Sequence, residues 1–357
     1  YTTGFFQGTT DFNPGTGTSN LVSAGSYDLF VQKLDPNGNF LWAKRMGSSN
    51  QDYGKCIAID PSGIVITTGN FSGTVDFDPG GGTQSLTASG VDNMFVSKLN
   101  SAGNYVSAIA IQGSIALPLD MVVDASSNIQ VVGWFTSLCD FDPGAGTTNL
   151  YPYGSSDAFI YKLDAAGNLL WAKQFGAFGN TEAWGIGLDG LGNSFTIGRF
   201  NNMVDLDPGP GTYQATSAGD YDLFCVNLDA AGNLVWPYHY GSNLGESYAD
   251  IACTPNGSVY STGNSWGIMD CDPSPATFLL DTVGGNSAFV HKLSQCIPSD
   301  SMATIAACST FTVDGFTFTS STDYLKTLQN AFGCDSVFTL NIEIQNNDTS
   351  LTIDACD

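Results

Sequence analysis

The residues best placed to do chemistry are paired aspartates. Asp76 and Asp78 stand two apart in Asp76-Phe77-Asp78-Pro79-Gly80, and the pattern returns at Asp140/Asp142 and Asp205/Asp207. Looser copies set Asp11 with Asn13 and Asp270 with Asp272. Two oxygen-bearing side chains at this spacing can face one hard cation, and the Pro-Gly that follows bends the chain so that carbonyls can join. These ten residues are therefore candidate calcium ligands, with Asp28, Asp92, Asp157 or Asp222 available to complete the shell. The competing reading is a metal-free turn: the first Asp caps backbone amides and the apolar middle residue (Phe77, Phe141, Leu206) is buried. The third acidic position and terminal Glu of an EF-hand are absent.

The first Asp of each copy falls at 11, 76, 140, 205 and 270, so the interval is 65, 64, 65 and 65 residues. A constant interval is the mark of a repeat architecture. Each repeat reads as two β-hairpins. In the third copy, strands 158–163 and 168–173 flank Asp164-Ala165-Ala166-Gly167, and strands 184–188 and 194–198 flank Asp189-Gly190-Leu191-Gly192. Asp caps such a turn and Gly supplies its left-handed residue. Four short strands per unit, with no helical periodicity, predict an all-β fold: a β-propeller of ~65-residue, four-stranded blades. Four whole units fit between Asp28 and Gly267. A fifth is expected to be split between 288–293 and 1–8, closing a ring of at least five blades, with the Asp loop joining one blade to the next. Tyr1-Thr2-Thr3-Gly4 matches Ile66-Thr67-Thr68-Gly69, so the chain is expected to begin inside a repeat of a longer protein.

Two recurring positions carry further expectations. Trp42, Trp171 and Trp236 share one repeat position, with Ser107 in the second unit. Such a series packs neighbouring sheets, or stacks a glycan or a quinone. Gly4, Gly69, Gly133, Gly198 and Gly263 mark a bulge or close approach in a strand.

Composition narrows the partners. The net charge is −24, and only Glu182, Glu246 and Glu343 among the 34 acidic residues are glutamates. Aspartate at this level means many turns. Ten Lys and Arg leave no basic patch, which argues against nucleic acid. No apolar run nears the ~18 residues of a spanning helix, so no membrane insertion is expected. Nine cysteines with no CxxC pair and two histidines, His239 and His291, speak against zinc.

The Leu-Trp-Ala-Lys strands at 41–44 and 170–173 each follow a Gly-Asn turn. Together with Phe30-Val31-Gln32-Lys33-Leu34-Asp35, they resemble the SBBP family of bacterial β-propeller repeats over residues 1–296. That resemblance implies an extracellular, non-catalytic scaffold. Beyond it, Ala303-Thr304-Ile305-Ala306-Ala307-Cys308 recurs at 350–356, and alternating runs at 310–319 and 336–344 predict a small Ig-like sandwich over 297–349, with 350–357 opening another copy. This module resembles the tandem repeats of long, type IX-secreted, adhesin-like Bacteroidetes surface proteins. The resemblance implies a Cys308–Cys334 disulfide, which suits a module too small for a full core. The pairing of Cys56, Cys139, Cys225, Cys253, Cys271 and Cys296 stays open. O-glycans at Asp-Ser/Thr-apolar sites, here Thr282, Ser301 and Ser336, are implied by the same resemblance.

Signals for catalysis are thin. A phosphate loop, a His-Glu-x-x-His helix and a serine elbow are all missing. The paired carboxylates repeat once per unit, whereas catalysis needs one asymmetric site. The expected function is a secreted or surface-anchored scaffold, a propeller head on an Ig-like stalk, that holds a protein or glycan on a surface or matrix. The alternatives are a self-associating filament subunit and a glycan-binding or quinone-dependent propeller. A binding module predicts a non-repeating aromatic and polar cluster on one face.

Overall fold

A computed structural model describes residues 1–113, 115–272, 277–281, 285–294, 301–307, 311–313, 316–329 and 335–344. Every regular element among them is a strand. The chain divides into two compact units, Tyr1–Leu293 and Ser294–Asp357.

The first unit is a series of antiparallel sheets built to one plan. The second sheet orders Tyr53–Ile59, Val65–Phe71, Asn93–Leu99 and Tyr105–Gly113. The third repeats this with Ala116–Val123, Ile129–Phe135, Asp157–Leu163 and Leu169–Phe178, and the fourth with Thr181–Leu188, Ser194–Phe200, Asp222–Leu228 and Leu234–Tyr240. The first and fifth sheets show three strands each, Thr2–Phe6/Asp28–Leu34/Phe40–Met46 and Glu246–Cys253/Ser258–Ser265/Ser287–Ser294. The leading strands 53–59, 116–123, 181–188 and 246–253 pack on one another in sequence order. The protein is thus all-β, with propeller-like repeats.

The expected hairpins are present, but they group differently. Each sheet takes its leading and second strands from one sequence repeat and its third and outer strands from the next. The Asp loop therefore lies inside a sheet, between the second and third strands, and does not join one blade to the next. Nor do the terminal strands share a sheet: Thr2–Phe6 pairs with Asp28–Leu34, and Ser287–Ser294 belongs with Ser258–Ser265. Loop length does not set this grouping, since the short connections 114–115 and 179–180 run between sheets. Burial does, because the apolar middle of the Asp loop packs between the second and third strands of one sheet, as Phe77 does between Phe71 and Phe95.

Local chemistry fixes the hairpins. In the turn at Asp35, Oδ1 accepts the amides of Asn37 and Asn39 while Asn39 donates its side-chain amide to Oδ2. The same cage recurs at Asp124, Asp164, Asp189 and Asp229. The left-handed turn residue is usually Gly, yet Ser127 takes it at φ 61°. Its hydroxyl donates to Asp60 Oδ2 in the preceding sheet at 2.9 Å, which offsets the backbone cost. The repeated strand glycine is a close approach, as expected: a Cβ on Gly69 would lie 1.8 Å from the Tyr53 carbonyl oxygen. The register shifts beside it, between Gly54 and Cys56.

Burial is concentrated in the third strands, where 93–99, 157–163 and 222–228 are buried along their whole length. Phe77 sits 5.5 Å from Phe71 and 4.9 Å from Phe95, ring centre to ring centre. Phe141 repeats this between Phe135 and Phe159, and Phe12 between Phe6 and Phe30. Each fully buried Phe contributes about 1.5–3 kcal/mol of transfer free energy. The apolar middle of the Asp loop is thus a plug for its own sheet.

Neighbouring sheets are tied twice. Toward the preceding sheet, the small hairpin that carries the Asp loop hydrogen-bonds to the outer strand. Asp140 lies opposite Gln112, Asp205 opposite Gly176, and Asp76 opposite Gly47. Toward the following sheet, Lys33 and the Trp42 indole both donate to the Ser101 carbonyl, at 3.0 and 3.2 Å. Lys98 reaches Ala165, and Lys162 and Trp171 reach Ala230, in the same manner. Trp42 and Trp171 therefore pack sheet against sheet.

The second unit has one three-stranded sheet, with Asp335–Ile344 between Ser301–Ala307, which runs parallel to it, and Thr322–Gln329, which runs antiparallel. A small hairpin joins Phe311–Val313 with Phe316–Phe318.

Candidate functional site

The paired Asp side chains spend their oxygens on the backbone. Asp76 Oδ1 accepts the amides of Asp78 and Gln84 at 3.0 and 2.8 Å, and Asp78 Oδ1 accepts that of Gly80 at 2.8 Å. Asp140 and Asp142 repeat all three bonds, as do Asp205 and Asp207 and Asp11 with Asn13. In the fifth copy Asp270 Oδ1 accepts the amides of Asp272 and Phe278. The middle residues Phe77, Phe141 and Leu206 are fully buried. The loops are closed by these amide bonds. A calcium ion wants six to eight oxygens. Among the described residues no group of three or more His, Cys, Asp or Glu side chains is placed to hold a metal ion. The side chains alone do not make that shell.

The residues expected to complete the shell have hydrogen-bond partners of their own. Asp28, Asp157 and Asp222 open their third strands, fully buried or nearly so, and the equivalent place in the second sheet is Asn93, not Asp92. Asp28 accepts the Ala24 amide and pairs with Arg45 at 2.6 Å. Asp157 accepts the amides of Tyr153 and Gly154 and the side chain of Gln174. Burial pushes the Asp157 and Asp222 carboxyls up from the ordinary carboxylate range.

Cys308, Cys334 and Thr282 lie outside the described residues, while Ser301 and Ser336 are on strands of the second unit. Cys56, Cys225, Cys253 and Cys271 are free thiols. Burial pushes the Cys253 thiol up to about 12 and that of Cys271 up to about 11.

A feature that the repeat analysis did not single out is a cluster that breaks the repeat. It forms around Arg199, at the place where the other units carry Phe5, Asn70, Trp134 and Asn264. Glu182, directly across the strand pair, takes the guanidinium with two contacts, 3.0 Å to Nε and 3.4 Å to Nη2. The guanidinium lies over the rings of Trp184 and Tyr221, 4.8 and 4.2 Å from their centres. Trp184 donates its indole N–H to Glu182 at 2.9 Å, and Asn180 donates to the Tyr221 hydroxyl at 3.0 Å. A bidentate ion pair with two aromatic rings against the cation is held in place.

This cluster forms one wall of a cleft of about 600 Å³ lined by Arg199, Asp220, Tyr221, Leu244, Glu246, Ser247 and Trp266. Trp266, 37% exposed, stands where other units carry Gln7, Ser72, Thr136 and Asn201. Glu246 is buried at its floor, accepting the Ser242 amide and the Ser265 hydroxyl at 2.9 Å each. Burial pushes its carboxyl up. Ser247, 5% exposed, has an Oγ with no hydrogen-bond partner. The sequence signal for the site is legible only by aligning the repeats and asking where each departs from the others. At equivalent places of the earlier sheets, Phe5, Tyr27 and Tyr53 stack edge to face or tilted, with Lys55 over Tyr53.

No family model matches the chain. Over 191 residues it is 26% identical to an uncharacterised WD repeat-containing protein of Acanthamoeba polyphaga mimivirus, covering 49% of this chain and 14% of that protein. Over 177 residues it is 25% identical to the regulatory protein FlaEY of Caulobacter vibrioides, covering 48% of this chain and 18% of that protein. The chain thus spans less than a fifth of the length of either relative. A solved protein of unknown function from Bacteroides caccae aligns with 62% of this chain and 77% of its own at 11% identity, with a TM-score of 0.28. The likeness to the WD-repeat protein accords with a repeat-rich β-structure, which is what the sheets display.

Proposed function

We propose that the chain is a non-catalytic binding scaffold, secreted or held at a bacterial cell surface. In this reading a propeller of SBBP type with at least five four-stranded blades carries the recognition face, and an Ig-like module of the surface-repeat kind follows it. The observation that carries the proposal is the cleft at Arg199 and Trp266, where aromatic, charged and unpaired polar groups meet at one place and depart from the repeat. A purely structural subunit would need every unit alike. Catalysis is disfavoured because the buried Glu246 carboxylate is held by Ser242 and Ser265 and the guanidinium is locked to Glu182. Calcium is an addition to loops that amides already close, so its contribution is small.

The test is retention of the purified chain on polysaccharide-coated and protein-coated matrices, alongside sedimentation at rising concentration. The proposal expects a monomer whose retention falls when Trp266 is replaced by Ala. Concentration-dependent polymers with no retention would favour the filament subunit and sink the binding reading.

A further inference from the structure

We infer that the cleft between Arg199 and Trp266 binds a neutral saccharide, one pyranose ring of which stacks on Trp266; the inference rests on the binding reading above. Its volume of about 600 Å³ lies within the range of small-molecule sites, ~300–1,000 Å³, which pair apolar walls with a few placed polar groups.

The walls and the floor differ in kind. Trp266, Tyr221 and Leu244 line the cleft with apolar surface, and Trp266 and Leu244 are 37% and 54% exposed. A flat, partly open indole suits the C–H face of a sugar ring, which combines apolar area with a polar rim. The floor offers hydrogen-bonding groups held in place beforehand. Glu246 is fixed by Ser242 and Ser265, and Arg199 by Glu182 and two rings.

Charge selects against acidic ligands. Glu182, Glu246 and Asp220 outnumber Arg199 at the site, within a chain of net charge −24, so sialic and uronic acids are repelled. A cationic ligand meets a Tyr221 face already covered by the Arg199 guanidinium at 4.2 Å. A polyhydroxylated neutral ring meets neither obstacle.

The experiment is saturation-transfer NMR on the full chain with glucose, galactose, mannose, N-acetylglucosamine and their short oligomers, with glucuronate as the charged control. Binding of at least one neutral sugar is expected, weakened about tenfold or more by Trp266→Ala and several-fold by Leu244→Ala, with glucuronate silent. Unchanged melting temperatures of the two variants would show that the fold is intact. Absence of transfer from every neutral sugar overturns the inference, and so does binding that both variants retain. Matrix retention that Trp266→Ala abolishes without any sugar binding would overturn the saccharide and leave the binding reading standing. Retention indifferent to Trp266→Ala would overturn both.

Discussion

Asn93 donates its side-chain amide to Oε1 of Gln112 at 2.7 Å, at the joint where three other sheets set an aspartate against a glycine. Those pairs are Asp28 with Gly47, Asp157 with Gly176 and Asp222 with Gly241, and a Cβ on Gly176 would lie 2.1 Å from the Asp157 carboxyl carbon. Two residues before the glycine stand Arg45, Gln174 and His239, but Ala110 in the second sheet. The second sheet thus replaces a carboxylate, an empty space and a polar side chain with a neutral amide, a filling amide and a methyl group. The same small volume is closed with different chemistry.

If these are interchangeable solutions, transplanting only part of one should fail. Gly176→Gln alone is expected to destabilise the fold by about 1–3 kcal/mol through overpacking. Adding Asp157→Asn and Gln174→Ala should recover most of that loss, with a coupling of at least about 1 kcal/mol in denaturant melts. A triple variant no more stable than the single one would show that the two joints are not equivalent.

The inter-sheet tie at Trp171 is a second target. Its indole donates to the Ala230 carbonyl at 3.3 Å and would lie 3.0 Å from a Cβ on Gly232. Trp171→Ala should cost about 2 kcal/mol, below the ~3–5 of a wholly buried tryptophan because part of the ring is in water. Trp171→Phe should keep most of the packing and lose the hydrogen bond. Equal stability of all three proteins would remove the tie from the account.

Stability should pass through a maximum in mild acid. Burial raises Asp52, Asp120, Asp157, Asp222 and Glu246 above their ordinary values of 3.8 and 4.5. The folded state therefore binds protons that the unfolded chain does not, and stability grows as the pH falls from neutral through those raised values. Asp11, Asp35, Asp164 and Asp229 are lowered below 3.8 by hydrogen bonds, led by Ser19, Asn39, Asn168 and Asn233 in turn. Their contribution is present above 3.8 and is lost as the pH falls further, though solvent screens these exposed groups. A melting temperature that declines steadily from neutral to pH 3.8 would contradict this balance.

The Asp loops give a direct test of calcium. Because Oδ1 of Asp76, Asp140 and Asp205 is already held by two amides each, chelation should leave the melting temperature unchanged, and excess calcium should add little. A stabilisation that grows with calcium concentration by linkage would identify the loops as occupied sites instead. Asp76→Ala, by contrast, should destabilise by about 1–2 kcal/mol with or without the ion, as loss of a capping residue does.

Much of the repeat was legible in sequence because turns are dictated locally: Asp35, Asp164 and Asp229 cap their own hairpins through neighbours at most four residues away. The burial of Phe77 and the close approach at Gly69 followed from residue type and period. What escaped was the grouping of hairpins into sheets, since hairpin turns look alike whichever sheet a hairpin joins. The Arg199 cleft escaped for a related reason. Its members come from four segments, 182–184, 199, 220–221 and 244–247, with Trp266 beyond, and only the fold brings them within reach. Repetition directs the eye to what recurs, and the site lies in what does not.

The offset between repeat and sheet bears on how such a chain can lengthen. Because each sheet is assembled from halves of two consecutive repeats, the period has no privileged seam. An in-frame duplication of 65 residues, wherever its breakpoints fall, inserts one whole sheet with both of its ties and leaves no strand without its partner. A gene of this kind can grow or shrink by unequal crossing-over, provided that the breakpoints do not separate the matched residues of a joint such as Asn93 and Gln112.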